Sequence, residues 1–217
     1  NQPREFIEHA CTTFGTGVNR ISQFAEENPG IEGYAIASAS EIIKPLWKQD
    51  NFDLMMFGDM AGVGIFKITP EPELAVIQRG IIGNVYSHTP DTDGNIVWGS
   101  DGMLYMDGKA VMEKAPDGMI ATFEKSLQIA RLAPRHISKI ILHPGSRHVH
   151  HRAGTMLKRI YEREFDVETQ LPNCLEDSGN NGGVTTLNTL HRQIVERKLT
   201  QMDRVYVGAI GMGYHQA

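Results

Sequence analysis

The sequence predicts an α/β fold in which long helices cover a largely buried sheet. Short apolar runs of strand length alternate along the chain with segments of helical periodicity. The apolar run at 33–40, GYAIASAS, is rich in small residues, as in a strand that is buried on both faces. Because 41% of the 217 residues are hydrophobic and 22% are charged, the chain can form one large domain or two small ones.

The predicted elements follow in chain order. Residues 6–10 are expected to form a strand, and Thr13–Glu27 a helix that stops at an Asn-Pro-Gly sequence, where proline and glycine end helices. Further strands are expected at 33–40, within 54–68, across 75–88, at 137–143 and at the start of 203–213, and further helices at 108–132, 147–165 and 182–198. Residues 89–102 are rich in glycine and polar residues and are predicted to form the one long loop.

Composition excludes several classes of protein. A net charge of -5 and the absence of a Lys/Arg block give no reason to expect nucleic-acid binding. No apolar stretch approaches the ~20 residues that span a bilayer, so no membrane is expected. The two cysteines, Cys11 and Cys174, cannot form a disulfide framework, and ten methionines fit a reducing compartment. The sequence therefore predicts a cytoplasmic protein, and Cys174 is expected to be structural.

Four polar features lie where predicted strands end. Cys11 precedes a helix, whose positive end favours the thiolate and is expected to lower the thiol pKa. His143 leaves a buried strand into a Pro-Gly turn, Asn180 precedes a helix, and the GAIGMG sequence at 208–213 can present backbone N–H groups to an anion. Each feature also has an ordinary structural explanation, as a buried thiol, a loop histidine, a turn-forming amide and a simple turn.

Six segments, in order, resemble those of the thiolase-fold condensing enzymes, and most closely β-ketoacyl-acyl-carrier-protein synthase III. They are FIEHACTTFGTGV, FGDMAGVGIF, LYMDGKAVMEKAPDGM, IILHPGSRHVHHRAG, LEDSGNNGGVTTLNTL and VYVGAIGMGYHQ. The resemblance implies a layered α/β/α/β/α fold from which the N-terminal part of the first half-domain is absent. Residues 1–90 would be the later part of that half-domain, and residues 91–217 the C-terminal half-domain.

The resemblance also implies an activity, namely decarboxylative Claisen condensation of acyl thioesters in fatty-acid or polyketide-type biosynthesis. Cys11 would be the acylated nucleophile, and His143 and Asn180 would bind the carbonyl of a malonyl-type thioester. The backbone N–H of Cys11 and the turn Gly211-Met212-Gly213, chiefly Met212, would form the oxyanion hole. Thioesters of coenzyme A or acyl carrier protein would be substrates, and neither a cofactor nor a metal would be needed.

The resemblance further implies a dimer of thiolase-fold protomers, identical or different, with an upstream segment in the same chain or a separate one. Two departures bear on substrates: His143 is followed by Pro-Gly-Ser rather than Gln-Ala-Asn, and Asn51 stands near the place of an arginine that binds coenzyme A in some relatives. Alternatives are a simple acyltransferase, a thioester hydrolase or a supporting subunit of a heteromeric synthase. A cysteine protease, and a metal site at the cluster of His143, His148, His150 and His151, are less consistent with the sequence.

Overall fold

The structure is a computed structural model that describes residues 5, 7, 10–42, 57–70, 80–88, 93–98, 100–101, 104–161, 165–200, 202–211 and 215–216. The α-helices of this part are α1 (Thr13–Glu27), α2 (Gly108–Ala130), α3 (Arg147–Ile160), α4 (Val167–Gln170), α5 (Leu175–Ser178) and α6 (Thr185–Val195). The strands are β1 (Gly33–Glu41), β2 (Met60–Ile68), β3 (Ser87–His88), β4 (Ile96–Trp98), β5 (Leu104–Met106), β6 (Lys139–Leu142), β7 (Val205–Gly208) and β8 (His215–Gln216). Short 3-10 turns occur at Ala10–Thr12, Pro134–His136 and Gly182–Val184.

One layer pair is formed by β1, β2 and α1. The two strands pair antiparallel from Gly33 opposite Ile68 to Glu41 opposite Met60. Helix α1 packs on β1, and the core between them contains Phe14, a contact made possible by the small side chains that β1 directs inward. The helix therefore holds its first turn, which follows Cys11, against this strand pair.

A second layer pair is formed by β6, β7 and the long helices α2 and α3. Strands β6 and β7 are parallel and nearly continuous in apolar residues, as is typical of strands covered on both faces. Phe123 of α2 is fully buried. Its ring stacks on that of Tyr161, with centroids 6.2 Å apart, and meets Tyr206 edge to face, with centroids 5.0 Å apart. This larger core fixes the position of the β6 end, where the candidate site begins.

Helix α6 joins the two layer pairs. It contacts β2 on one side and both β6 and β7 on the other. Helix α6 therefore connects the two sheets, and the Gly182–Val184 turn at its start packs on β1, β2 and α1 of the first layer pair. The predicted boundary between 1–90 and 91–217 stays a prediction.

The strand at Gly33–Glu41 is buried on one face, not on both as the sequence predicted. Inward side chains such as Ala37 and Ala39 are buried, whereas Tyr34 and Ile36 are 75% and 66% exposed. Ile36 pairs with Ile65 of β2, which is 68% exposed. The small residues that suggested two-sided burial reflect the close approach of α1 on a single face.

Three other predictions need correction. Ala10 lies in a 3-10 turn rather than a strand, and Phe6 lies outside the described residues. Helix α3 ends at Ile160, with Tyr161 as its C-cap, rather than at Phe165. The predicted long loop contains β4, which forms a small antiparallel pair with β5. None of the helices described here is both long and apolar enough to cross a membrane.

Candidate active site

The candidate site starts at the carboxyl ends of the parallel strands β6 and β7. His143 directly follows β6, and its backbone N–H donates to the carbonyl of Gly208 at the end of β7 over 2.8 Å. The carboxyl edge of a parallel sheet is where α/β folds place their sites. Gly211, the first residue of the predicted oxyanion turn, is buried near this edge, while Met212 and Gly213 lie outside the described residues.

The imidazole of His143 is neutral at physiological pH. Its side chain is buried, and the desolvation lowers its pKa from 6.5 to about 4. Its Nδ1 atom is buried and has no hydrogen-bond partner among the residues that the structure describes. A buried ring nitrogen without a protein partner is a candidate for binding a ligand.

The side chain of Asn180 is held against the turn that follows His143. Its Nδ2 donates to the carbonyl of Gly145 at 3.0 Å, and its Oδ1 accepts from the backbone N–H of Gly182 at 3.0 Å. Gly145 has a φ of 59°, a left-handed conformation that glycine adopts without strain. Since Asn180 is only 3% exposed, these bonds fix its amide in one orientation.

A second glycine-containing segment, at Gly58, hydrogen-bonds to the backbone of Asn180. The N–H of Gly58 donates to the carbonyl of Asn180 at 2.9 Å, and the Nδ2 of Asn181 donates back to the carbonyl of Gly58 at 3.1 Å. A Cβ added at Gly58 would lie 2.3 Å from the carbonyl oxygen of Ser178, which no backbone tolerates. The Phe-Gly-Asp sequence thus requires glycine because two chain segments meet there.

Cys11 reaches the same region from the other layer pair. The Ala10–Thr12 turn that carries it packs against the Gly182–Val184 turn, two residues after Asn180. The described contacts bring the turn of Cys11 against the segment that follows Asn180, and Asn180 is bonded to the turn that follows His143. The catalytic roles predicted for these three residues stay predictions. Cys11 is half-buried and forms no disulfide.

The prediction that the helix start lowers the pKa of Cys11 is wrong. Burial, followed by the nearby carboxylate of Glu41, raises the thiol pKa from 9.0 to about 12, and the backbone N–H at the helix start opposes this only weakly. Desolvation penalises the thiolate more than the dipole of one helix end favours it. The side chain of Cys11 is therefore a protonated thiol at neutral pH.

Sequence reasoning missed Glu41. It is the last residue of β1, and its Oε1 accepts a hydrogen bond from the N–H of Gly183 at 3.0 Å. A carboxylate at the end of an otherwise uncharged strand is a signal that could have identified it. Desolvation raises the pKa of Glu41, and the Gly183 hydrogen bond opposes that shift.

The remaining predicted residues have structural positions. The thiol of Cys174 is buried, lies 3.2 Å from the Oγ1 of Thr189 and accepts a hydrogen bond from Asn188, consistent with the structural role predicted for it. In the histidine-rich start of α3, His150 is buried while His148 and His151 are exposed. Within the described ranges, no group of three or more His, Cys, Asp or Glu side chains could hold a metal ion.

Comparison with known proteins supports the resemblance inferred from sequence. No protein-family model matches the chain. The chain is 27% identical over 182 residues to β-ketoacyl-[acyl-carrier-protein] synthase III of Wolbachia sp. subsp. Brugia malayi (strain TRS), an alignment that covers 77% of this chain and 54% of that protein. It is 25% identical over 220 residues to the enzyme of the same name from Wolbachia pipientis wMel, covering 95% of this chain and 63% of the relative.

Solved structures confirm the predicted thiolase-like α/β fold. The crystal structure of 3-oxoacyl-(acyl carrier protein) synthase III from Pseudomonas aeruginosa PAO1 superposes with a TM-score of 0.84 at 14% identity, covering 97% of this chain and 63% of that one. The enzyme from Aquifex aeolicus VF5 gives a TM-score of 0.83 at 17% identity and covers 97% and 64%. OleA of Xanthomonas campestris gives 0.76 at 16% identity and covers 97% and 62%. This chain thus spans between about half and two thirds of the proteins it matches.

Proposed function

We propose that the chain forms part of an acyl-thioester condensing enzyme of the β-ketoacyl synthase III type, an acyltransferase of fatty-acid or polyketide-type biosynthesis. In this proposal, Cys11 accepts an acyl group from a thioester of coenzyme A or acyl carrier protein. His143 and Asn180 then bind the carbonyl of a malonyl-type thioester and stabilise the enolate that decarboxylation leaves. The backbone N–H groups of Cys11 and Met212 form the oxyanion hole for acyl transfer.

The observation that carries the proposal is the burial of His143 and Asn180, together with the neutral charge of the first and the fixed orientation of the second. Both side chains are buried, the imidazole is neutral, and Asn180 is bonded to the turn that follows His143. Neutral hydrogen-bond donors that are fixed in a desolvated site stabilise a developing oxyanion without supplying the proton that would quench it. Such donors favour condensation over simple acyl transfer or thioester hydrolysis, because the enolate arises only in the second half-reaction.

Acylation of Cys11 tests the proposal directly. The chain is incubated with acyl-coenzyme A or acyl-carrier protein, and its intact mass is measured for the wild type, Cys11→Ala and the matched control Cys174→Ala. We expect a gain of one acyl group in the wild type and in Cys174→Ala and none in Cys11→Ala. An equal gain in all three proteins would remove Cys11 from the mechanism. A carbon–carbon bonded product with a malonyl thioester separates condensation from hydrolysis, which yields free acid.

We also propose that the working unit is a dimer of thiolase-fold protomers, identical or different, that covers the exposed face of β1 and β2. The support is the exposed apolar pair Ile36 and Ile65, which lie opposite each other on the two strands. Contiguous exposed apolar side chains on a sheet favour association. Light scattering on Ile36→Ser should give a smaller mass in solution than the control Ile194→Ser, which changes an exposed isoleucine of α6. Equal masses of both variants and the wild type would contradict the proposal.

A further inference from the structure

The carboxylate of Glu41 is built into the turn that precedes α6. Its Oε1 accepts the N–H of Gly183 at 3.0 Å, although 142 residues separate the two in sequence. A Cβ added at Gly182 would lie 2.8 Å from the Cδ of Glu41, and Gly182 has a φ of 53°. Only glycine combines this backbone conformation with so close an approach of a side chain. The turn is therefore shaped to receive the carboxylate.

The same turn orients the amide of Asn180. The N–H of Gly182 donates to the Oδ1 of Asn180, and the neighbouring N–H of Gly183 donates to Glu41. Two consecutive backbone donors thus hold one predicted site residue and one carboxylate. Movement of the carboxylate would release the turn and with it the orientation of the amide.

Glu41 also faces the thiol of Cys11, where its negative charge opposes formation of the thiolate. In the part of the chain that the structure describes, the two other elements packed around Cys11 bring no counter-charge, since neither Gly182–Val184 nor the first turn of α1 contains an ionisable side chain. Among the described residues, no Lys or Arg forms a salt bridge with Glu41. A half-buried carboxylate without a cationic partner lowers the stability of the fold, because its charge is partly desolvated. Such a residue is a candidate for a functional role.

We infer that Glu41 is a positioning residue of this site: its carboxylate holds the Gly182–Gly183 turn, and with it the amide of Asn180, and places a negative charge beside Cys11. The catalytic meaning of this role rests on the proposed function. The hydrogen bond and the charge are separable, because glutamine keeps an acceptor oxygen and lacks the charge, whereas alanine lacks both.

The charge is tested by alkylation of the full chain with iodoacetamide between pH 6 and 10, with Cys11 quantified by peptide mass spectrometry so that Cys174 is counted separately. We expect Glu41→Gln to react at Cys11 faster than the wild type, on the order of tenfold at each pH, which corresponds to a thiol pKa lower by one unit. The control Glu26→Gln removes the same charge from the exposed end of α1 and should leave the rate unchanged. Equal rates for Glu41→Gln and wild type across this range would overturn the electrostatic role.

The hydrogen bond is tested by amide hydrogen exchange of a peptide spanning 180–184. Exchange should accelerate in Glu41→Ala and stay near the wild-type rate in Glu41→Gln, with thermal unfolding measured to confirm that both variants fold. Unchanged exchange in folded Glu41→Ala, or equal acceleration in both variants, would overturn the positioning role. Neither assay uses a thioester. If thioesters fail to acylate the wild-type chain, the proposed function is contradicted, whereas the inference about Glu41 is still decided by these two assays.

Discussion

Burial of His143 makes the fold sensitive to acid over a defined range of pH. The folded pKa is about 4 and the ordinary value is 6.5. Below pH 6.5 the unfolded chain therefore binds a proton that the folded chain does not. The free energy of unfolding falls as the pH drops from 6.5 towards 4. Below pH 4 both states bind the proton, and this group lowers the stability no further. The two pKa values differ by about 2.5, and each unit corresponds to about 1.4 kcal/mol, so His143 alone removes about 3 kcal/mol from the free energy of unfolding.

Urea denaturation at pH 7, 5.5 and 4 measures this loss. Other groups also titrate in this range, so the informative quantity is the difference between the wild type and His143→Gln, which has similar bulk and does not titrate. We expect His143→Gln to lose about 3 kcal/mol less than the wild type between pH 7 and 4. The control His151→Gln changes an exposed residue of α3 and should follow the wild type. The reasoning is refuted if His143→Gln loses as much stability as the wild type.

Two further predictions concern the turns around Asn180. Gly58→Ala should destabilise the fold by about 2–4 kcal/mol, because the new Cβ would meet the carbonyl of Ser178. In the control Gly33→Ala the new Cβ meets nothing within 4 Å, so its melting temperature in thermal unfolding should be close to that of the wild type. Similar melting temperatures for the two variants would contradict the close approach. In separate half-reaction assays, His143→Ala and Asn180→Ala should slow malonyl decarboxylation by about 10²–10³-fold and acyl transfer to Cys11 far less, as expected for donors to an enolate. Loss of acylation with intact decarboxylation would reverse these assignments.

The sequence predicted well those helices and strands whose bounds are set by residues within the segment itself. The helix Thr13–Glu27 has the predicted bounds, because an Asn-Pro-Gly stop and helical periodicity both lie within the segment itself. The strand at Gly33–Glu41 was also found, with one residue more than predicted. The three-residue strands Ile96–Trp98 and Leu104–Met106 were missed, since such short strands show too little alternation to be distinguished from a loop.

The charge state of the site depends on contacts between distant segments, and sequence reasoning was wrong where it ignored them. The start of a helix is visible in the sequence and argues for an acidic thiol at Cys11. The desolvation of the thiol and the approach of Glu41 arise only when β1 packs beside the helix, and together they raise the thiol pKa. The neutrality of His143 also depends on packing, because burial at the end of β6 lowers its pKa. Strand-end position and the family resemblance therefore nominated these residues from sequence, while their protonation states required the folded neighbours.

Glu41 shows why the residues between predicted site positions also matter. A site that pairs a protonated thiol with a neutral imidazole has no net cation to attract an acyl thioester, so its reactivity must come from donors aimed at the oxygen that becomes negative. Those donors are useful only if their orientation is fixed before substrate arrives. The Gly182–Gly183 turn provides that fixation, with one N–H on Asn180 and the next on Glu41. The carboxylate thus raises the energy of the free thiolate and also orders the amide proposed to stabilise the enolate, two effects that Glu41→Gln and Glu41→Ala distinguish.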